Sequence, residues 1–354
     1  MPQSISYNSK KHIAIFGAGR TGLGISEQLI KMRIHIDLFD THFKANISNT
    51  QNINIHKISE NPKLARLMLK NVMEQNSIKS FDSIFHTFLY TAQDFANFTE
   101  ITSGLTSHLG TIGTILTFDR QIDGGILDET KPKINESNIQ INGGYTQGKR
   151  ELELAIEKFQ ILNPDIKFFL PKTFHILGAG WVPGICPPYF RDLGLINHLN
   201  TNQIYLPKNG DILYQIVDVE DLAKYIAMGI AKHLDGDFII LNPAIITAKD
   251  YYEGLGFILG RQVHILEKPI SQITDTKIML LDWVCDTDKI QKALQADLIF
   301  TGHKDTLEKS IKYLAAHSSS NFNRSDIWER MNKGQSPDLT KMELEIGVVR
   351  RLRL

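Results

Sequence analysis

The sequence predicts an α/β fold, a doubly wound parallel sheet followed by a smaller C-terminal lobe, and three observations carry that expectation. Short apolar runs alternate with stretches of helical spacing along the first two thirds of the chain, and strands separated by helices pair in parallel through right-handed crossovers. The first apolar run ends in a glycine-rich turn that leads directly into a helical pattern. At roughly 150 residues per domain, a chain of 354 residues holds one large unit with an appended lobe.

The elements follow in order. Residues 12–16 form the first strand, with Ile13, Ala14, Ile15 and Phe16 as a buried run. Lys10 and Lys11 ahead of it imitate a signal peptide, but Arg20 interrupts the apolar run and no small-residue cleavage site follows. After Gly17-Ala18-Gly19-Arg20-Thr21-Gly22, the positions Leu23, Ile25, Leu29 and Ile30 mark a helix. A second strand over 34–39 ends at Asp40, and strands over 52–58 and 83–89 flank a helix over 61–75 with Leu64, Leu67, Met68 and Val72 at helical spacing. A helix near 94–109, a strand over 114–118, a helix over 145–160 and a strand over 166–169 complete a six-strand sheet. The Gly- and Pro-rich stretch 178–188 reads as a loop, with Trp181 and Tyr189 offered as pocket lining. Strand-like runs over 215–217 and 238–240 flank a helix over 221–231 and return the chain to the sheet. The expected division is 10–175 with 213–245 for the first domain, 176–212 with 246–317 for a substrate lobe, and 318–354 as a helical or partly ordered tail.

Composition narrows the function. Lys and Arg number 39 and Asp and Glu 39, and their cancellation argues against nucleic-acid binding or an anionic membrane partner. The 2 cysteines, Cys186 and Cys285, are too few for a disulfide framework or a thiolate cage, so a reducing cytoplasm is expected. No apolar run approaches the roughly 18 residues of a membrane span.

Two motifs carry chemistry. Gly17, Gly19 and Gly22 form Gly-x-Gly-x-x-Gly between a strand and a helix. There the first glycine permits the turn, the second admits a pyrophosphate and the third lets helix and strand approach, with Arg20 and Thr21 at the helix N-terminus beside the phosphates. This is a dinucleotide-binding Rossmann pattern. Asp40, closing the second strand, can accept both adenosine ribose hydroxyls and repel a 2′-phosphate, which favours NAD; Arg20 could hold that phosphate and keeps NADP as the alternative. The second motif is Tyr145 and Lys149, one helical turn apart, where an ammonium can make a phenol with a pKa of ~10 a usable acid/base near neutrality and can also reach the nicotinamide ribose. Tyr7 and Lys11 have the same spacing ahead of the first strand, so position in the fold separates signal from accident.

At these residues the sequence resembles the extended short-chain dehydrogenase/reductases, the NAD-dependent epimerase/dehydratase family. Asp128-Glu129-Thr130-Lys131-Pro132 is similar to the family's acidic and proline segment, Tyr145, Lys149 and Glu153 match its Tyr-x-x-x-Lys-x-x-x-Glu, and Lys172 with His175-Ile176-Leu177-Gly178 resembles its Arg-Pro-x-x-Val-Tyr-Gly with Lys in place of Arg. The resemblance runs from His12 to about Ala315. It implies an NAD(P)-dependent epimerase, dehydratase or oxidoreductase acting by hydride transfer on a nucleotide-sugar or similar hydroxyl or keto substrate; the competing expectation is a dinucleotide-binding sensor or scaffold without catalysis. Three departures stand out. The glycine motif lacks one spacer residue, Ile58-Ser59-Glu60 replaces an aspartate after the third strand, and Asp119 occupies the slot of the family's substrate-positioning Ser or Thr, leaving Thr117 as the nearby hydroxyl. Leu152, Ile156 and Phe159 form a second apolar stripe expected to pair two copies in a homodimer. His86 reads as a core histidine and Cys186 as apolar lining; the remaining histidines, His12, His35 and His56 among them, show no metal-ligand spacing, and no metal is expected.

Overall fold

A computed structural model of the chain describes residues 11–42, 52–119, 125–135, 144–181, 183–186, 189, 195, 199, 201–272 and 281–316. In chain order these contain β1 (His12–Phe16), α1 (Arg20–Lys31), β2 (His35–Asp40), β3 (Ile53–Lys57), α2 (Pro62–Gln75), β4 (Ser83–His86), α3 (Ala92–Thr102) and β5 (His108–Thr111). There follow the two-residue β6 (Gly113–Thr114), a 3₁₀ turn (Ile115–Thr117), α4 (Gly144–Leu162), β7 (Lys167–Thr173), β8 (Ile176–Leu177), β9 (Gln203–Leu206), β10 (Leu213–Tyr214), β11 (Val217–Asp218) and α5 (Val219–Ala231). The remainder is β12 (Gly236–Ile239), β13 (Ile246–Thr247), α6 (Ala248–Ile258), β14 (His264–Glu267), α7 (Asp288–Leu294) and α8 (His303–Ala316).

The central sheet is parallel throughout and runs β12-β7-β5-β4-β1-β2-β3, with β6 beside β7. Strand order reverses direction at β1, so the carboxyl ends of β1 and β4 open a crevice, the place where doubly wound sheets bind ligands. The strands explain their own position. Ile13, Ala14 and Ile15 are fully buried, as a central parallel strand covered on both faces must be. On one face Ile13, Ile15, Ile36 and Leu38 pack with Ile25 and Leu29 of α1 and Ile226 and Ile230 of α5. On the other, Ala14, Phe16 and Phe39 pack with Leu69 of α2, Phe95 and Phe98 of α3, and Leu152 and Ile156 of α4. Outside the sheet, β8 pairs with β11 and β9 with β14 in parallel, and β10 with β13 antiparallel. Among the described residues no helix is long and apolar enough to cross a membrane.

The doubly wound α/β expectation holds, with seven strands on the main path where six were anticipated. Several elements differ. The helix expected over 94–109 stops at Thr102, and His108–Thr111 is the fifth strand; Ser103-Gly104 breaks the helix, and Leu105 and Leu109 extend an apolar spacing that a strand also satisfies. The strand expected over 114–118 is a 3₁₀ turn entered through β6. On α2, Leu64, Leu67 and Met68 are exposed while Ala65, Leu69, Val72 and Met73 are buried, so the inward face is rotated from the pattern first read. Leu152 and Ile156 are buried within the chain's own core, and Phe159 meets Phe95 edge-on at 5.5 Å, so this stripe does not present itself to a second copy. Tyr189 is core, 1% exposed, with its hydroxyl accepting from the Tyr205 amide. The tail 318–354 lies outside the described residues.

His108 shows how a polar group is afforded a place at the base of β5. Its Nδ1 lies 2.9 Å from Ser83 Oγ and its Nε2 2.9 Å from the Leu234 carbonyl, which it can satisfy as a neutral imidazole donating from Nε2. Burial lowers its pKa to about 4, against the raising effect of the bond to Leu234. The unfolded chain therefore binds a proton between about pH 6.5 and 4 that the folded chain does not, and stability falls with pH across that window by of order 1 kcal/mol per pH unit. His108→Gln should flatten that slope in urea titrations between pH 6.5 and 4; an unchanged slope assigns the acid sensitivity elsewhere.

Candidate functional site

The crevice begins at the glycine turn. Gly17 has φ +101°, and a Cβ there would stand 2.1 Å from Thr87 Oγ1; a Cβ on Gly22 would stand 1.8 Å from the Gly17 carbonyl oxygen. Only glycine admits this turn and this approach of α1 to β1. Helix α1 starts at Gly19 with no side-chain cap and no acidic residue in its first turn, leaving its first N–H groups for an anion. Thr21 and Gly22 are buried in that turn. Asp40 braces it from the end of β2: Oδ2 accepts from the Ala18 amide at 2.6 Å and Oδ1 from the His42 amide at 2.9 Å. Arg20 is held away from Asp40's partners, its Nε donating to the Ala179 carbonyl at 3.1 Å, its Nη2 3.5 Å from Glu220 Oε1 and its guanidinium 5.8 Å from the Tyr313 ring centre.

The end of β4 forms the second wall. His86 stacks on Phe16 and accepts the Phe88 amide at Nδ1, 3.0 Å, and burial drops its pKa to about 4, so it is neutral and structural. The half-buried Phe88 ring lies over the turn, 3.2 Å from where a Gly19 Cβ would be. Nothing in the glycine pattern points to this residue.

Tyr145, Lys149 and Glu153 stand at successive turns of α4. The helix reaches the β4–α3 connection because position 148 is glycine: a Cβ there would come within 2.9 Å of the Tyr90 carbonyl oxygen. Lys149 is buried, and its Nζ donates to the carbonyls of Leu89 at 2.5 Å and Ile112 at 2.9 Å and lies 4.9 Å from the Tyr90 ring centre. Burial lowers its pKa to about 8, resisted by Glu153 and Asp94 and assisted by Lys172. The Tyr90 ring meets that of Tyr145 at 6.1 Å, and Tyr145 is half-buried.

Glu153 lies in a closed network. Its Oε1 accepts from Thr117 Oγ1 at 2.8 Å and pairs with Lys172 Nζ at 2.5 Å; Lys172 is 3.4 Å from Asp237, and Lys133 is 2.8 Å from Asp237. Arg150 adds a third cation, 3.1 Å from Glu157 and 3.5 Å from Glu153. Burial pushes Asp237 up, yet Lys172 and Lys133 hold it below the usual carboxylate range. Burial likewise opposes the charge on Lys133, and Asp237 and Glu153 raise its pKa all the same.

These contacts place the candidate hydroxyls. Thr117 lies in the 3₁₀ turn; its hydroxyl accepts from Lys172 Nζ at 3.2 Å and has one proton to give to either Glu153 Oε1 or the Thr114 carbonyl, so it belongs to the Glu153 network. Asp119 is buried, its amide donating to the Pro132 carbonyl, eight residues beyond the true end of β5. The first hydroxyl after β5 is Thr114, two residues past the carbonyl that Lys149 holds and N-cap of the turn. A fifth strand expected over 114–118 hides it as a candidate. Cys186 is buried with its thiol pushed up to about 12 by burial, 3.5 Å from Tyr252 Oη, and its apolar role stands.

No protein-family model matches the chain, and no curated protein matches it in sequence. Solved structures do match its fold. An epimerase from Methanothermobacter thermautotrophicus superposes with a TM-score of 0.65 at 13% identity, covering 92% of this chain and 95% of that one. A UDP-glucose 4-epimerase from Thermotoga maritima, solved with UDP-glucose, gives 0.65 at 14% identity over 86% of this chain and 99% of its own. A dTDP-glucose 4,6-dehydratase from Bacillus anthracis, in complex with NAD, gives 0.64 at 13% identity over 87% and 97%. The chain therefore shares the doubly wound Rossmann fold of these structures.

The buried pair Glu153–Lys172 generates a stability test. Removing one member of a buried pair costs roughly 3–5 kcal/mol because the other charge stays buried. Lys172→Met should lower the urea midpoint by that equivalent, and pairing it with Glu153→Gln should recover a substantial part; strictly additive losses would show that the two charges do not depend on each other.

Proposed function

We propose that the chain is an NAD-dependent enzyme of the epimerase/dehydratase type that interconverts hydroxyl and keto forms of a nucleotide-linked sugar. The observation that carries this reading is Lys149, buried between the Leu89 and Ile112 carbonyls at the carboxyl edge of the sheet, one turn from Tyr145. The residues fit the cofactor: the uncapped α1 N-terminus and the glycine turn suit a pyrophosphate, and Asp40 beside Ala18 suits a ribose diol. The bound nicotinamide would supply the hydride acceptor. Tyr145 takes the substrate hydroxyl proton, Lys149 favours the phenolate by its charge, and Thr114 orients the substrate oxygen. Residues 10–175 with 213–245 make up the cofactor domain, and 176–212 with 246–317 the substrate lobe. A cofactor-binding protein without turnover is the second reading, and Phe88 over Gly19, narrowing the path of a pyrophosphate, is the observation that favours it.

Tyr145→Phe should lower turnover about 10²–10⁴-fold and leave NAD affinity unchanged, measured as isomer formation by NMR across UDP- and dTDP-sugars. Thr114→Val should cost about 10²-fold and Thr117→Val far less. Equal rates in wild type and Tyr145→Phe would remove the phenol from the mechanism, and NAD binding without turnover on any sugar would establish the second reading. On the cofactor, calorimetry should show NAD bound more tightly than NADP, with Asp40→Ala weakening NAD and narrowing the gap; a wild-type preference for NADP refutes Asp40's role.

A further inference from the structure

At the end of the sheet away from the glycine turn, β1 and β2 start side by side, with His12 opposite His35 and Ala14 opposite Asp37. These positions alternate onto one face, joined there by Asn54 and His56 of β3. The Asp37 side chain is completely buried, 0% exposed. Its Oδ1 accepts from His56 Nε2 at 2.8 Å and from Asn54 Nδ2 at 3.2 Å, but its Oδ2 has no hydrogen-bond partner, and neither has the buried Nδ1 of His12. A buried carboxylate oxygen and a buried imidazole nitrogen facing one cluster without partners are costly unless something else binds there. Donor atoms of His12, His35 and Asp37 all lie within 4.8 Å of one another.

We propose that His12, His35 and Asp37 bind a divalent transition-metal ion of the zinc class. Two imidazoles and one carboxylate match the donors zinc takes, with a fourth position left for water. One carboxylate cannot satisfy calcium or magnesium, which demand oxygen shells, and the absence of a thiolate disfavours softer ions. Ligand atoms about 2.1 Å from one ion stand roughly 3.4 Å apart in a tetrahedron, which side-chain rotation can reach from the present spacing. The His12 and His35 rings are tilted by 52° with centres 5.0 Å apart, leaving room for their nitrogens to converge. Asn54 Nδ2 lies 3.0 Å from His35 Nε2, a contact given up where this nitrogen takes the ion, and His56 holds the other carboxylate oxygen as an outer partner commonly does. The ion ties β1 to β2 far from the crevice, so its role is to hold the two strands whose other ends deliver Gly17 and Asp40. Sequence spacing concealed it because the ligands come from the register of neighbouring strands.

The test uses the untagged full-length chain, stripped with chelator and titrated with Zn²⁺ by calorimetry and with Co²⁺ by visible absorption. One equivalent should bind at micromolar affinity or tighter, give the intense visible bands of a four-coordinate cobalt site, and raise the melting temperature. His12→Ala and His35→Ala, chosen because both residues are only half-buried, should each weaken binding at least 100-fold and abolish the thermal shift. X-ray absorption of the wild-type zinc form, which needs no variant, should show imidazole scattering from two ligands. Absence of stoichiometric binding, wild-type affinity in both variants, or a zinc shell without imidazole each overturns the proposal and leaves Asp37 held only by its hydrogen bonds to His56 and Asn54.

Discussion

An ion pair sealed from water, Glu153 with Lys172, fixes where α4 sits on the sheet. Lys172 is on β7 and is 0% exposed, and Glu153 is 2% exposed, so neither can regain hydration if the helix shifts. Slipping α4 by one residue would turn Glu153 away from Lys172 and leave a buried carboxylate without its nearest counter-charge, with Lys172 left to Asp237 alone. The register of the helix is thereby set by electrostatics in addition to the packing of Leu152 and Ile156 against Phe95 and Phe168. Tyr145 and Lys149 lie two turns and one turn along the same face, so the site inherits its geometry from this pair.

The neighbouring charges keep that arrangement closed. Lys133, Arg150 and Lys172 face Glu153, Glu157 and Asp237, three cations against three carboxylates, and the segment before α4 is drawn in with them. Glu129 of that segment accepts the Ile239 amide at 2.6 Å, which tacks it to the edge strand β12. Strand β12 thus contributes Asp237 to the network and a backbone donor to Glu129. Substituting Lys for the Arg that the family pattern carries at position 172 is consistent with this: the ammonium is used as a point charge between two carboxylates, for which a fork is not required.

Much of this was legible in the sequence, and the exceptions have physical causes. The glycine turn and Asp40 were readable because backbone strain and chain reversal restrict residue choice sharply at those positions. Tyr145, Lys149 and Glu153 were readable because helical spacing is local. The fifth strand was not: His108, Leu109 and Thr111 occupy a short buried strand in which apolar spacing cannot distinguish the two periods, and a strand expected over 114–118 brings forward Thr117 and Asp119 rather than Thr114 as the hydroxyl-slot candidates. Leu64, Leu67 and Met68 misled for a related reason, since the smaller Ala65 with Leu69 and Val72 supplies the inward face of α2. The stripe Leu152, Ile156 and Phe159 was correctly apolar, but spacing does not reveal whether the partner is the same chain or another.

The three residues of α4 form a graded series in burial, and the gradient has a chemical consequence. Tyr145 is half-buried at the open end, Lys149 is buried with its ammonium on two carbonyls, and Glu153 is enclosed by counter-charges. If Glu153 were not neutralised, its field would raise the Lys149 pKa and draw the ammonium inward along the helix, away from the phenol. Lys172 screens that field and itself lowers the Lys149 pKa, so the balance near 8 results from burial, which depresses it, and Glu153 and Asp94, which support the charge. At neutral pH Lys149 then remains a cation without a carboxylate bound to it, its Nζ bonds going to neutral carbonyl oxygens. A cation fixed by dipoles keeps more of its field for a neighbouring phenol than one paired directly with a carboxylate. The closed network at the foot of the helix therefore occupies Glu153 and leaves the Lys149 ammonium on its two carbonyls.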